Sequence, residues 1–186
     1  MAEPKPHKPV LFFCGILAST DAALEIAQSR LQALLGRIEI ETTPYQHKYT
    51  SYYKKQMGDN ILRKFVAFLP LRQPTELKTL KLKTNETEQE LADELKTPFA
   101  RPVNLDPGYL DEPRVVLASC KDYNHRIALG DGVFADLHLI YRRTLGYMGL
   151  EWSYQDYTDE VANDFFLQCR KLLRSERLKI KLTNNS

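Results

Sequence analysis

The fold class this chain predicts is α+β: a sandwich with a mixed, mostly antiparallel sheet and helices packed on it. Strand-like apolar runs alternate with segments of helical period. Their order is strand–helix–strand–strand–helix–strand, followed by a hairpin and a last helix. That order suits a ferredoxin-like split βαβ unit extended by extra strands. A doubly wound parallel sheet fits less well, because two of the strand connections lack a long helix.

Met1–Lys8 is rich in Pro and Lys and reads as a loose lead-in. Val10–Leu17 is a continuous apolar run of strand length, suited to a strand covered on both faces. Thr20 can cap the next helix, whose Leu24, Ala27, Leu31, Leu34 and Leu35 keep a helical stripe until Gly36 stops it. Ile38–Thr43 alternates as a half-exposed strand does and ends at Pro44. Residues 45–62 are irregular and carry Tyr45, Tyr49, Tyr52 and Tyr53; Thr50 or Ser51 is placed to start a two-turn helix that Gly58 ends. Lys64–Leu69 reads as a short, mixed strand.

Pro74-Thr75 then opens what reads as the longest helix, with Leu77, Leu80, Thr84, Leu91 and Leu95 on one face and Thr97-Pro98 as its stop. Lys81, Asn85 and Glu88 share its flank at i, i+4, i+7. Val115–Ser119 and Val133–Tyr141 have strand character, and Gly146–Gly149 reads as a turn. Thr158 is placed to cap a final helix with the buried stripe Val161, Phe165, Cys169 and Leu172; Thr183–Ser186 reads as a disordered tail. No repeat or low-complexity linker divides the chain, so 1–186 reads as a single domain.

A length of 186 residues is enough to bury a core without metals or disulfides. The net charge is +2, with both signs mixed along the chain, which gives no footprint for nucleic acid or an anionic membrane. The one basic run, Arg170 to Lys181, complements the end of a helix and keeps the tail in water. Cys14, Cys120 and Cys169 are far apart and odd in number, so neither a metal site nor a disulfide framework is indicated and a reducing cytoplasm is expected. Residues 9–18 resemble a signal-peptide core, but the helix starting at Thr20 makes a buried strand the fuller account. No apolar run approaches the ~20 residues a membrane span needs.

Groups able to do chemistry concentrate between Val103 and Tyr141: Asn104, Asp106, Tyr109, Ser119, Lys121, Asp122, His125, Arg126 and Asp131. Pro107, Gly108, Gly130 and Gly132 punctuate the run, which places these groups at strand ends and loops. Asp106-Pro107-Gly108 by itself reads as a type II turn. In an extended chain Asn104 and Asp106 would instead point the same way, as a pair for a cation or a hydroxyl. Lys121, His125 and Arg126 are placed to converge on a phosphate or carboxylate; the competing reading is a solvated loop in which Asp122 pairs with Lys121 or Arg126. Asp136 and His138 share one face of a strand, an acid–base pair if that face is covered. An outward-facing sheet surface is the simpler reading for His138. His47 has its hydroxyl partner one residue too far for a two-histidine phosphoesterase. Phosphate-loop, dinucleotide, zincin and nucleophile-elbow signatures are absent.

Asn104-Leu105-Asp106-Pro107-Gly108-Tyr109, Leu117-Ala118-Ser119 and Lys121-Asp122 resemble the bacterial family called domain of unknown function 4416. So do His125-Arg126-Ile127 and Leu129-Gly130-Asp131-Gly132, together with Gly15-Ile16-Leu17, Tyr52-Tyr53, Met57-Gly58, Thr84-Asn85 and Glu88. The likeness covers nearly the whole chain. It implies no assigned activity or cofactor, though some similar sequences are labelled GTP-binding. It moves Asn104, Asp106, Tyr109, Lys121, Asp122, His125 and Arg126 towards one shared site. Three functions stand at this point. The first is binding of a small anionic, nucleotide-like or phosphorylated ligand at residues 104–131. The second is an enzyme with Asp106 or Asp122 and His125 as acid–base groups. The third is a protein-interaction module built on the tyrosines of 45–53. The oligomeric state stays open.

Overall fold

The protein is described from a computed structural model that covers residues 1–49 and 53–184. Its strands are β1 (Leu11–Ala18), β2 (Arg37–Glu41), β3 (Tyr45–Gln46), β4 (Leu62–Leu69), β5 (Val103–Asp111), β6 (Arg114–Ser119), β7 (Arg126–Gly130), β8 (Val133–Arg142) and β9 (Gly146–Gly149). Its helices are α1 (Asp21–Leu35), α2 (Lys54–Met57), α3 (Leu77–Leu95) and α4 (Glu160–Asn184). One open sheet runs β2-β4-β1-β5-β6-β8-β7, with β3 beside β4 and β9 beside β8. The first four strands in that path have the order of a split βαβ unit, and β6, β8 and β7 extend it beyond β5. The fold class is therefore α+β, with one correction: every described pairing is antiparallel, so the sheet is not mixed.

Local rules account for the first elements. Thr20 accepts a hydrogen bond from the N–H of Ala23 at the start of α1. All eight residues of β1 are buried because both faces of the sheet are covered. On one face Phe12, Cys14 and Ile16 pack under α1 and α3; on the other Leu11, Phe13 and Phe65 pack under Phe165, Phe166, Cys169 and Leu173 of α4. Burying Phe165 contributes about 2–3 kcal/mol. Of the expected α4 stripe, Phe165 and Cys169 are buried, while Ala162 is buried in place of the exposed Val161 and Leu173 is buried beside the partly buried Leu172. Asp159, not Thr158, caps α4, accepting from the N–H of Ala162.

Other expectations change. Strand β4 starts at Leu62 and is buried nearly throughout, because it lies between β1 and β2 rather than at an edge. Helix α4, not α3, is the longest. Gly146–Gly149 is a strand, and Thr183 and Asn184 belong to α4. The helix expected from Thr50 or Ser51 begins outside the described residues; α2 is a single turn that Gly58 ends. Arg177 is not a solvated tail charge: it donates to Asp111, Glu112 and the carbonyl of Pro9, and so fastens α4 to the β5–β6 hairpin and the lead-in.

The largest correction is at Asp106-Pro107-Gly108, which is not a turn but the middle of β5. It pairs with β1 along its length but with β6 only from Gly108 onward. In an antiparallel ladder the N–H and C=O of one residue point to the same side. At Leu105 both point away from β1: the N–H donates to Glu88 Oε1 at 2.7 Å, and the carbonyl accepts from Lys81 Nζ at 3.0 Å. Pro107, two residues on, faces the same way and has no N–H to give. Here β5 and β6 part, with side chains of α3 taking the place of a neighbouring strand.

Candidate functional site

Where β5 and β6 separate, the face opposite α3 opens into a cleft of about 640 Å³. Its floor is built on three neighbouring strands. Phe65 of β4, Gly15 of β1 and Asp106 of β5 stand in register, and Arg63 lies one step along β4, opposite Leu17. A side chain at position 15 would fall 2.5 Å from the Tyr157 hydroxyl and 3.0 Å from Arg63 Nη1. Glycine therefore lets the guanidinium of Arg63 cross the sheet beneath Tyr157.

Arg63 is only 1% exposed, and its ends meet two carboxylates: Nη2 lies 2.5 Å from Asp156 Oδ2 and Nη1 lies 3.5 Å from Asp106 Oδ2. Its guanidinium also lies over the rings of Phe65 and Tyr157, at 4.6 and 4.8 Å. Burial would release its proton, but Asp156, Tyr157 and Asp106 more than offset that, so Arg63 stays charged. His47, placed just after β3, also borders the floor, with Nδ1 3.8 Å from Asp156 Oδ2. Burial lowers the pKa of His47 against the opposing pull of Asp156, which favours a neutral ring. Both nitrogens of His47, Nε of Arg63, Nδ2 of Asn104 and the Tyr157 hydroxyl are buried with no hydrogen-bond partner among the described residues.

The far wall is organised by a second arginine. Arg126, the first residue of β7, donates through Nε to Asp136 Oδ2 at 3.0 Å. Its Nη1 donates to Ser119 Oγ and to the Lys121 carbonyl, and its Nη2 to the Tyr154 hydroxyl at 3.0 Å. Asp136 on β8 is 1% exposed and also faces His138 Nδ1 at 3.2 Å and His125 Nε2 at 3.4 Å. His138 Nε2 accepts from the N–H of Tyr154, so its remaining proton sits on Nδ1 and points at Asp136. Burial alone would raise the Asp136 carboxyl; His138 and Arg126 outweigh it and hold it below the usual range. Above this network lie aromatic rings. His125 is parallel to Trp152 at 4.6 Å and to Tyr123 at 6.0 Å, and Tyr49, Tyr53 and Tyr154 complete the cleft's lining.

The family model described as domain of unknown function 4416 matches residues 8–173. The chain belongs to this family. No curated protein and no solved structure shows significant similarity to it. The matched region contains the whole cleft, from Leu17 to Asp156.

Of the residues expected to share a site in this member of domain of unknown function 4416, Asp106, Lys121, His125 and Arg126 line the cleft. Asn104 is buried on the same face of β5, and Ser119 holds Arg126 from behind. Tyr109 is on the other face, packed on Phe12 in the α1–α3 core. Asp131 pairs with Lys78 of α3, and Asp122 is exposed outside the lining. His125 thus has Asp136 as its carboxylate neighbour, not Asp106 or Asp122. His138 is covered, contrary to its outward reading, and so is Asp136, for which both readings stood open. Of the tyrosines in 45–53, Tyr45 and Tyr49 donate to Asp159, Tyr49 is exposed at the cleft, and Tyr52 lies outside the described residues.

Arg63, Asp156, His47 and Trp152 were not anticipated. Gly15, a lone glycine in an otherwise apolar strand, marks the close approach of another group, here Arg63 beside Tyr157, whereas His47, Asp156 and Trp152 carry no such local signal. No group of three or more His, Cys, Asp or Glu side chains among the described residues is arranged to hold a metal ion. Nor is any described helix long and apolar enough to cross a membrane.

Proposed function

We propose that this is a cytoplasmic protein whose cleft binds a small anionic ligand of nucleotide-like or phosphorylated kind. The observation that carries the reading is the pairing of a wall of partly exposed aromatic rings with a buried ionic floor in one cavity. Flat rings beside Trp152, His125 and Tyr123 suit a stacked planar group. Lys121, exposed at the rim, supplies positive charge there. Arg126 contributes differently from the sequence expectation: its N–H groups are taken by Asp136, Ser119, Lys121 and Tyr154, so it shapes the wall instead of gripping the anion.

Trp152 is the only tryptophan in the chain, which makes its fluorescence a reporter of this cavity alone. Titration with a panel of nucleotides and sugar phosphates should change that emission saturably, and native mass spectrometry should show a one-to-one adduct. A panel that leaves both unchanged up to millimolar concentration removes the reading. An acid–base role for His125, supported by its 3.4 Å approach to Asp136, is the second reading. It requires that His125→Asn abolish a turnover that the wild-type protein shows on the bound ligand.

A further inference from the structure

We infer that the floor of the cleft recognises a pair of neighbouring hydroxyl groups on the ligand, the vicinal diol of a ribose-type sugar, through Asp106 with His47 alongside. The inference rests on the ligand-binding reading above and assigns chemistry to its deepest part.

Asp106 presents a carboxylate at the bottom of the cavity, with its side chain 20% exposed. Among the described residues it accepts one hydrogen bond, the 3.5 Å contact from Arg63. An ionised carboxylate has about four acceptor sites on its two oxygens, so the described residues leave most of its capacity unused. That capacity calls for donors, and three kinds of donor are available in principle.

The first is a metal ion. Arg63 already lies between Asp106 and Asp156 and pairs with both, and no described cluster offers three ligating side chains. A divalent ion would have to sit beside the fixed guanidinium of Arg63, whose like charge opposes it. The second is an ammonium group, which meets the same cation at the same range. The third is an uncharged donor, which Arg63 does not repel.

His47 narrows the choice further. It is 8% exposed, borders the cleft, and has neither ring nitrogen in a hydrogen bond among the described residues. A neutral imidazole offers one donor and one acceptor. A hydroxyl is the complementary partner, because it donates and accepts at once. Two adjacent hydroxyls can give both protons to one carboxylate while one of them also exchanges a hydrogen bond with the imidazole. The same pairing of an acidic side chain with ribose hydroxyls is a recurrent solution in nucleotide-binding folds unrelated to this one. With the diol held at the floor, a ring attached to the sugar would rise to the rings of Trp152, His125 and Tyr123 at the rim.

The test compares ligands on the unmodified protein. Trp152 fluorescence is titrated with AMP, GMP, CMP and UMP, each against its 2′-deoxy counterpart, and with ribose 5-phosphate and inorganic phosphate. At least one ribonucleotide should bind, and its 2′-deoxy form should bind at least tenfold more weakly. In Asp106→Asn the ribonucleotide should fall to the deoxynucleotide's affinity while the deoxynucleotide is little changed. Equal affinity of the ribo and deoxy forms overturns the diol assignment and leaves the cleft reading in place. Binding of inorganic phosphate as tight as that of the nucleotides has the same consequence. No binding by any nucleotide or by ribose 5-phosphate overturns both. The ligand comparison needs no variant, so a poorly folding Asp106→Asn cannot obscure the result.

Discussion

Arg63 and Arg126 are two arginines withdrawn from water a short distance apart, and their surroundings differ in kind. Each N–H-bearing nitrogen of Arg126 has a partner, drawn from a carboxylate, a hydroxyl, a carbonyl and a phenol. Arg63 has two carboxylates at its tips, and among the described residues its Nε, both nitrogens of His47, Nδ2 of Asn104 and the Tyr157 hydroxyl lack hydrogen-bond partners. A buried polar group without a partner costs about 1–3 kcal/mol. Such costs gathered at one place mark the part of the molecule not arranged for stability alone. Arg126 is a clamp that fixes the cleft's far wall, whereas Arg63 is the charge around which its floor is left incomplete.

Several experiments break or sharpen that contrast, and the largest effect belongs to the clamp. Arg126→Met leaves Asp136 a buried carboxylate without its permanently charged partner and frees the 119–126 loop, so it should destabilise the protein by about 3–5 kcal/mol. Urea unfolding measures it, and a loss under 1 kcal/mol would contradict the clamp. Arg63→Met should cost less, about 2–3 kcal/mol, because the cleft lets water reach Asp106. Adding Asp156→Asn to Arg63→Met should recover part of that loss, which a double-mutant cycle reads directly.

The pH dependence separates the two regions again. His47 holds its proton less tightly when folded, so the folded state binds fewer protons than the unfolded chain below about pH 6.5. Stability should therefore fall as pH drops from about 6.5 towards the lowered folded-state value, and His47→Gln should remove this step. Asp136 is also depressed on folding; its contribution is present above about pH 4 and is lost as the pH falls through the folded carboxyl's lower range. That second step should survive in His47→Gln and vanish in Asp136→Asn. The smallest change expected at the clamp is in Tyr154→Phe, which deletes one hydrogen bond to Arg126 and should cost about 1 kcal/mol. Outside both regions, Arg174→Glu should stay within about 0.5 kcal/mol, since Arg174 is mostly exposed. Its neighbour Arg177→Glu should be clearly worse, because it breaks ion pairs to Asp111 and Glu112.

The sequence carried the periodic parts of the fold well. The apolar run of β1, the cap and stripe of α1 and the order of the first four strands are local patterns, and tertiary packing agrees with them. The misreadings share a cause. Asp106-Pro107-Gly108 has the chemistry of a turn, and only the distant Lys81 and Glu88 make it a strand interior. The expected strand began at Lys64 and left out Arg63, whose carboxylate partners come from β5 and from the residues just before α4. Asp136 and His138 alternate as they would on an open or a covered face, so spacing alone does not decide between them. Asp106, Lys121, His125 and Arg126 were legible as a group because they fall within one stretch of the chain. His47, Arg63 and the 152–156 segment that carries Trp152 and Asp156 are three other places, which meet only in the folded state.

The brackets that Lys81 and Glu88 place on Leu105 bear on how the protein behaves at high concentration. A strand that loses its neighbour normally exposes a strip of unpaired backbone that another molecule's strand can join. Here the strip opens in the interior of the sheet, beside the cleft. Its central N–H and C=O are already occupied by charged side chains, and the next position is a proline with no donor. An arriving strand would find no ladder to extend, so the opening that admits a ligand does not double as a seed for aggregation.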